Sequence, residues 1–258
     1  MILSAALKKT KGRPEFSCPL RGRTSGASSS GWALKKTKGR PEFSCPLRGR
    51  TSGASSSGWA LWLASKSPRR RELLQQIGVR FDVLSFRAGA RSDAETDETP
   101  LAGEAPDDYV RRVACAKAAH GRRLIAWRHL PERLVLAADT TLDVDGRIFG
   151  KPADAAAAQA MLAELSGRSH RVLTAVAIAR RDCLECVVSV SEVSFRSLTA
   201  EEIRAYVLTG EPLDKAGAYG LQGRAAMFVE RMHGSPSGVV GLPLCETTLL
   251  LRRLGYPI

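Results

Sequence analysis

From Leu61 onward, short apolar runs alternate with segments whose apolar residues recur every three or four positions. The first pattern is typical of buried strands and the second of amphipathic helices. Ser67 and Pro68 match an N-cap and a first helical residue, and Gly78 is placed to end that helix. Since the elements follow no strict strand–helix–strand order, we expect an α/β fold with a mixed β-sheet. Further helices are predicted at 107–120, 155–165, 200–209 and 244–254, strands at 62–65, 134–138, 171–179, 186–195 and 226–232, and a hairpin turn at 144–147.

The first 60 residues have a different composition. A block at 7–33 recurs without a single change at 34–60, and it is rich in Gly, Ser, Lys and Arg. Such a segment cannot bury enough apolar surface to offset its chain entropy. We interpret 1–60 as a disordered leader or an artefact such as a duplicated coding stretch, and 61–258 as the folded domain. The alternative is a basic arm that binds nucleic acid or anionic lipid.

The net charge of +13 taken alone suggests a nucleic-acid partner. However, residues 1–60 hold 12 Lys and Arg against two Glu, whereas the remaining residues hold 27 basic and 24 acidic groups. The folded part is nearly balanced, so we expect no nucleic-acid partner for it. No apolar run approaches the ~20 residues that span a bilayer, so we expect no membrane partner. Six scattered cysteines do not form a disulfide framework, which favours a cytoplasmic protein.

A basic cluster lies where the first predicted strand meets the first predicted helix. Backbone N–H groups at a helix N-terminus are unpaired and the helix dipole is positive there, so this position favours anions and disfavours cations. Three consecutive arginines in this turn therefore indicate a polyphosphate ligand that would offset their repulsion. The alternative is a surface run of arginines paired with acidic loops. The cluster reads Ser65-Lys66-Ser67-Pro68-Arg69-Arg70-Arg71.

Two lysines can add positive charge to such a site. Lys117 follows Val110 and Val113 on the apolar face of the helix 107–120, so it either snorkels to the surface or points into a cleft at a negative partner. Lys151 lies just beyond the predicted hairpin and can supply another phosphate-binding charge.

Carboxylates supply the candidate proton acceptor and metal ligands. Asp139 and Thr140 directly follow the apolar run 134–138, and the carboxyl ends of strands in α/β sheets face the ligand crevice. Asp139 can therefore hold a divalent metal or take a proton from water, the alternative being a carboxylate that caps a turn. Glu98, in an acidic loop, offers further metal-binding oxygens unless that loop only keeps the surface soluble.

The segment GAYGLQG at 217–223 carries three glycines, which allow a backbone to approach a ligand closely. Its Gln222 can hydrogen-bond the edge of a base. The segment matches neither the Walker A pattern nor the dinucleotide fingerprint. Cys183 and Cys186 have C-x-x-C spacing without a second pair, so ordinary thiols are expected there.

Several separate motifs together resemble the Maf family, the septum-formation-inhibitor-like nucleotide pyrophosphatases. The resemblance covers essentially all of 61–258 and none of 1–60. It implies a two-lobed α/β fold related to the inosine-triphosphate pyrophosphatases, with a central nucleotide cleft. It also implies cleavage of a nucleoside triphosphate between the α- and β-phosphates with Mg²⁺ or Mn²⁺, and a homodimer. The motifs are LASKSPRRRELL (63–74), LAADTTLDVDGRIFGKP (136–152), SGRSHRVLTAVAI (166–178) and LDKAGAYGLQG with GSPSGVVGLPL (213–244).

Matched position by position, the resemblance implies a role for nine residues. Ser65, Arg69 and Arg70 would contact the phosphates, joined by Lys117 and Lys151 as catalytic cations. Asp139 would accept the proton of the attacking water and bind metal together with Glu98. Substrate choice would depend on Arg70, Thr140 and Gln222, whose identities match the subgroup acting on dTTP and UTP rather than the 7-methyl-GTP subgroup.

The sequence departs from the family pattern in two places. The loop 85–96 is several residues longer than the usual path to the Asp-Glu pair, and Pro236 stands where the family has an aromatic residue. Two rival functions stay open: a non-catalytic nucleotide-sensing regulator of cell division, and a house-cleaning pyrophosphatase for modified purine nucleotides. Gln222 and Thr140 argue against the purine substrate.

Overall fold

The structure is a computed structural model that describes residues 60–85, 96–181 and 183–258. The interpretation of 1–60 as a disordered or artefactual leader therefore concerns residues outside the described part, apart from Ala60. Most of the long loop predicted before Glu98 also lies outside it.

A mixed sheet of seven strands forms the centre of the domain, in the order β2-β1-β3-β5-β6-β7 with β4 paired to β3. The strands β2 and β3 run parallel to β1, and every other pairing is antiparallel. This confirms the predicted fold class. The strands are β1 (Leu61–Leu63), β2 (Phe81–Val83), β3 (Val135–Val144), β4 (Arg147–Phe149), β5 (Ser169–Arg180), β6 (Cys183–Phe195) and β7 (Val229–His233).

Most of the predicted helix boundaries agree with the structure within about two residues. Asp154 caps its helix through the Ala157 N–H, and Thr199 forms a capping box with Glu202. The pattern gave no indication of β2 or of the short helix α5, which span only three and five residues. The helices are α1 (Pro68–Gln76), α2 (Pro106–Trp127), α3 (Ala155–Leu165), α4 (Ala200–Val207), α5 (Pro236–Val240) and α6 (Leu244–Arg253). None of the helices in the described part is long and apolar enough to cross a membrane.

The prediction that the second helix ends at His120 is wrong, because α2 continues to Trp127. Gly121 follows the predicted end and is not a terminator. A Cβ atom there would lie 2.8 Å from a methyl group of Val135 and 3.2 Å from Ala64. The glycine therefore allows α2 to pack closely on the sheet.

The prediction that the strand after Leu134 ends before Asp139 is also wrong, because β3 continues to Val144. The polar residues at 139–141 pair with β5 along an uninterrupted ladder. On its other edge β3 pairs with β1 only as far as Leu136. Asp139 therefore lies inside a strand, but just beyond the carboxyl end of its parallel neighbour, which is the position that opens onto a crevice.

Two lobes share the long strands β3, β5 and β6. In the first lobe, successive side chains of residues 135–138 pack alternately into two cores. One core is formed with α1 and α6 on one face of the sheet, and the other is formed with α2 on the opposite face. In the other lobe, Leu142 and Val144 pack into a core that includes α3 and α4. Asp139 lies on β3 between these cores, so the strand carries it to the junction of the lobes.

The second lobe contains a buried histidine. His170 is 3% exposed, its Nε2 lies 2.8 Å from the Tyr219 hydroxyl, and its ring meets that of Phe195 edge-on at 5.2 Å. Burial lowers the pKa of His170 from 6.5 to about 4. The folded protein therefore holds a neutral imidazole down to a pH at which the unfolded chain is already protonated.

We expect this histidine to make the protein less stable in mild acid. The unfolded chain binds the proton first, so the stability that the neutral ring contributes is complete above about pH 6.5 and is lost progressively down to about pH 4, a change of about 3 kcal/mol. Chemical unfolding at several pH values, compared with His170→Gln, isolates the contribution. Parallel stability curves for the two proteins over this range would contradict the assignment.

Candidate active site

A cleft of 1470 Å³ lies between the lobes. The end of β1, the middle of β3, the start of α1, and the segments after β4 and α4 contribute to its walls. All nine residues singled out in the sequence line this one cleft, although they come from positions far apart in the chain. They are Ser65, Arg69, Arg70, Glu98, Lys117, Asp139, Thr140, Lys151 and Gln222.

Arg70 is fixed in the cleft wall by three hydrogen bonds. Its Nε donates to the carbonyl of Gly241 at 2.8 Å, one Nη donates to the Ser65 hydroxyl at 3.2 Å, and the other to the Thr140 hydroxyl at 3.3 Å. A guanidinium has five N–H groups, so two remain for a ligand. Burial lowers the pKa of Arg70, while the Asp139 carboxylate opposes that shift. An anionic ligand would offset the cost of burying this charge.

The hydroxyl of Thr140 has a defined hydrogen-bond direction. Thr174 uses its single hydroxyl proton to donate to the carbonyl of Gly238 at 2.8 Å. The 3.0 Å contact between the two threonine hydroxyls must then be donated by Thr140, whose oxygen also accepts from Arg70. Because its proton is committed, Thr140 faces the cleft only as an acceptor.

Arg69 lies across the cleft from the segment that follows α4. Its guanidinium forms a 3.3 Å ion pair with Asp214, whose other oxygen accepts from Lys215 at 2.6 Å. Asp214 therefore balances two cations that face the cleft. A bound polyphosphate would compete with this carboxylate for both of them.

The lysine on α2 points into the cleft and does not snorkel. The Nζ of Lys117 lies 2.7 Å from Oδ1 of Asp139 and 2.8 Å from Oε1 of Glu98. The Asp139 side chain is 9% exposed, so this pairing keeps a charge in a largely buried position. Tyr109 donates to the carbonyl of Glu98 at 2.9 Å, and burial followed by the charges of Asp139 and Glu98 raises its pKa to about 12.

The two carboxylates suit a divalent cation. Mg²⁺ is commonly held by one or two carboxylates, with substrate phosphates and water completing its shell. Asp139 and Glu98 converge on a single cation, the Lys117 ammonium, and therefore form a donor pair of this kind. Within the described residues there is no cluster of three or more His, Cys, Asp or Glu side chains suited to a metal. A metal here would need oxygens from the substrate.

The sequence profile of the Maf-like proteins matches residues 60–254. The chain belongs to the Maf-like protein family. This confirms the resemblance carried by the four sequence motifs. It leaves the first 59 residues outside the family match.

Relatives of this Maf-like chain carry a common name. This chain is 61% identical over 195 residues to a dTTP/UTP pyrophosphatase of Dechloromonas aromatica (strain RCB). The match covers 76% of this chain and 97% of that protein. Proteins of the same name from Aromatoleum aromaticum (strain DSM 19018 / LMG 30748 / EbN1) and Cupriavidus metallidurans (strain ATCC 43123 / DSM 2839 / NBRC 102507 / CH34) are similar as well. They are 58% and 55% identical, with 76% and 75% of this chain covered and 96% of each relative.

Arg71 does not take part in the Maf-like site, contrary to the sequence argument that counted three arginines. It is exposed and does not line the cleft, whereas Arg69 and Arg70 do. Successive residues of a helix point about 100° apart, so one face cannot present all three. Lys151 and Gln222 are exposed side chains at the cleft wall.

The glycines of GAYGLQG in the Maf-like chain serve internal packing. A Cβ on Gly217 would overlap Leu142, one on Gly220 would lie 2.5 Å from Cε of Lys215, and one on Gly223 would overlap the Glu211 carboxylate. The sequence argument expected these glycines to allow close approach of a ligand. In the structure they make room for side chains of the same protein.

Four residues with clear contacts in the site were missed in the sequence. For Thr174 and Asp214 the signal is weak, because each acts through a partner that is distant in the chain. Thr174 and Gly238 are 64 residues apart, and Asp214 and Arg69 are 145 residues apart. The missed residues are Tyr109, Thr174, Glu211 and Asp214.

Proposed function

We propose that this chain hydrolyses nucleoside triphosphates, foremost dTTP and UTP, to the nucleoside monophosphate and pyrophosphate. The observation that carries the proposal is the convergence of six cations and a largely buried carboxylate on one cleft. The names of the relatives support the same activity. The cleft cations, each lining its wall, are Lys66, Arg69, Arg70, Lys117, Lys151 and, beside Asp214, Lys215.

Asp139 is the proposed proton acceptor. In this mechanism it takes a proton from a water that attacks the α-phosphorus in line with the departing pyrophosphate. Lys117 holds the carboxylate in place through its 2.7 Å contact and adds positive charge beside the reacting phosphate. Arg70, fixed by three protein contacts, keeps two N–H groups for phosphate oxygens. Its position requires no rearrangement during the reaction, which favours the transition state.

Asp139 and Glu98 would hold a divalent metal, Mg²⁺ or Mn²⁺. When bound, such an ion withdraws negative charge from the phosphates and the leaving group. Lys117 contacts both carboxylates and would have to share them with the ion. Arg69 and Lys151, on the cleft wall, would contact the phosphates that remain exposed.

Base selection is proposed for Gln222 together with Thr140 and Arg70, which line the same cleft. The Gln222 amide offers one donor group and one acceptor, as do the edges of thymine and uracil. Thr140 presents only an acceptor, so a donor on the substrate would face it.

A nucleotide panel tests the function directly. Pyrophosphate release is measured for dTTP, UTP, dCTP, ATP, inosine triphosphate and 7-methyl-GTP, with Mg²⁺, with Mn²⁺ and with chelator. We expect turnover of dTTP and UTP that depends on the metal, because without the ion the Asp139 and Glu98 carboxylates would add negative charge beside the triphosphate. Nucleotide binding without pyrophosphate release would instead support a nucleotide-sensing regulator. Preference for inosine triphosphate or 7-methyl-GTP would support a purine enzyme.

Three further proposals concern the location and the partners of the chain. We propose a cytoplasmic location, supported by the free thiols of Cys115, Cys183, Cys186 and Cys245. A homodimer and the absence of a nucleic-acid partner are proposed as well. Light scattering reports the oligomeric state, and deletion of 1–59 with DNA-binding assays at several salt concentrations tests the basic leader.

A further inference from the structure

Gln222 lies in a tight turn at the cleft wall. The N–H of Gly223 donates to the carbonyl of Gly220 at 3.1 Å, which closes a four-residue turn with Gln222 in its third position. The orientation of the Gln222 side chain therefore depends on how firmly the two ends of this turn are held.

The carboxylate of Glu211 supports the second end of the turn. Its Oε2 accepts from the backbone N–H of Arg224 at 3.1 Å, and its Oε1 accepts from the Tyr206 hydroxyl at 3.0 Å. A Cβ atom on Gly223 would overlap this carboxylate. Glu211 thus occupies the space that the glycine leaves open and directly fixes the backbone that follows Gln222.

Lys215 supports the first end. Its aliphatic carbons pass beneath Gly220, where a Cβ atom would lie only 2.5 Å from Cε. Its Nζ donates to the backbone carbonyl of Glu211 at 2.7 Å. One short segment after α4 therefore holds both ends of the turn that carries Gln222.

This support is anchored in the hydrophobic core. Tyr206 is 2% exposed on α4, and its ring packs edge-on against Phe228 at 5.2 Å. Burial, followed by the hydrogen bond to Glu211, raises the pKa of the Tyr206 hydroxyl. The hydroxyl is therefore protonated at neutral pH and available as the donor to Glu211.

We propose that Glu211 is a positioning residue that sets the nucleobase preference of the cleft by fixing the Gln222 turn. The inference rests on the proposed function in that it takes a nucleoside triphosphate as the ligand. Glu211 acts through the turn, whereas Arg69, Arg70 and Lys117 lie where the phosphates would be. Loss of the Glu211 carboxylate therefore changes recognition of the base more than recognition of the phosphates.

Glu211→Gln is the decisive variant. An amide of the same shape has one acceptor oxygen, so it can no longer accept from the Arg224 N–H and the Tyr206 hydroxyl with separate oxygens as the carboxylate does. The measurement is equilibrium binding of dTTP and dCTP, whose base edges present donor and acceptor in opposite order. We expect the dTTP-to-dCTP affinity ratio to fall about tenfold, the size of effect produced when a polar group that reads a base is misplaced. In turnover, the larger change is expected in KM and not in kcat.

Inorganic tripolyphosphate, which has no base, is the probe for the phosphate subsite. Its binding is expected to change less than twofold in Glu211→Gln. Tyr206→Phe is the second variant, since it removes only the hydroxyl donor and should reduce the ratio in the same direction. Glu230→Gln, an exposed carboxylate on β7 outside the cleft, is the matched control. Thermal unfolding of each variant identifies any loss of folded protein.

The outcomes separate this inference from the proposed function. Binding is measured in an Asp139→Asn background, so it does not require hydrolysis. Absence of pyrophosphate release from the unmodified protein would overturn the function alone. Three results would overturn the positioning role. They are a dTTP-to-dCTP affinity ratio that is unchanged in Glu211→Gln, a ratio near one before the substitution, and a loss of tripolyphosphate binding as large as the loss of dTTP binding.

Discussion

Asp139→Asn is expected to lower kcat for dTTP by about two orders of magnitude or more while nucleotide still binds. The amide has nearly the same shape as the carboxylate and its oxygen can still accept from Lys117, which lies 2.7 Å away in the native protein. It cannot take a proton from water, so the chemical step is affected and the phosphate-binding cations are not. Steady-state pyrophosphate release gives kcat, and equilibrium binding of dTTP gives the affinity.

Asp143→Asn is a closely matched control. Both aspartates lie on β3, both are 7% exposed, and both pair with a cation, which for Asp143 is Arg171 at 2.7 Å. Asp143 does not line the cleft. Its replacement should reduce stability through the Arg171 pair without a comparable loss of kcat. Near-normal turnover in Asp139→Asn would refute the role of Asp139 as proton acceptor.

The start of α1 and the capping box at Thr199 could be predicted because both are local. Ser67 lies at the N-cap position of α1 and Pro68 is its first residue, as predicted, although the Ser67 side chain makes no capping hydrogen bond. Thr199 and Glu202 form the predicted capping box of α4. No distant partner is needed for these features. The hydrophobic pattern was likewise sufficient to predict a mixed sheet.

The length of β3 could not be predicted from that pattern. Hydrophobicity reports which side chains are buried, whereas a strand continues as long as its backbone finds a partner. Asp139 and Thr140 are polar, yet they pair with Ala175 and Thr174 on β5. The Thr140 hydroxyl donates to that of Thr174, which in turn donates to the carbonyl of Gly238, so polar residues are accommodated inside the sheet.

Local signals in the sequence indicated candidate site residues but not their convergence. A helix N-terminus with arginines indicated an anion, and the family resemblance was needed to connect it with Lys117 and Asp139. The supporting contacts of Glu211 and Thr174 were not visible, because they involve backbone groups of other segments. The glycines at 220 and 223 were interpreted as space for a ligand, since their neighbours Lys215 and Glu211 become apparent only in three dimensions.

Arg70→Lys is expected to reduce kcat/KM for dTTP about a hundredfold, or ~3 kcal/mol, by removing two charge-assisted hydrogen bonds to phosphate. Lysine keeps the positive charge, so the experiment isolates the geometry of the guanidinium. In the native protein three of its N–H groups bind Gly241, Ser65 and Thr140. A single ammonium cannot reach these three acceptors and a phosphate at the same time.

Arg71→Lys serves as the control for Arg70→Lys, because this neighbouring arginine is exposed and lies outside the cleft lining. It should leave kcat/KM within about twofold of the unmodified protein, as expected for a surface substitution. In Arg70→Lys, inhibition by inorganic tripolyphosphate should weaken in parallel with dTTP turnover, since both ligands use the phosphate subsite. If Arg70→Lys retained kcat/KM within threefold, or if tripolyphosphate inhibited it unchanged, Arg70 would be a structural residue that binds Gly241 and not a phosphate ligand.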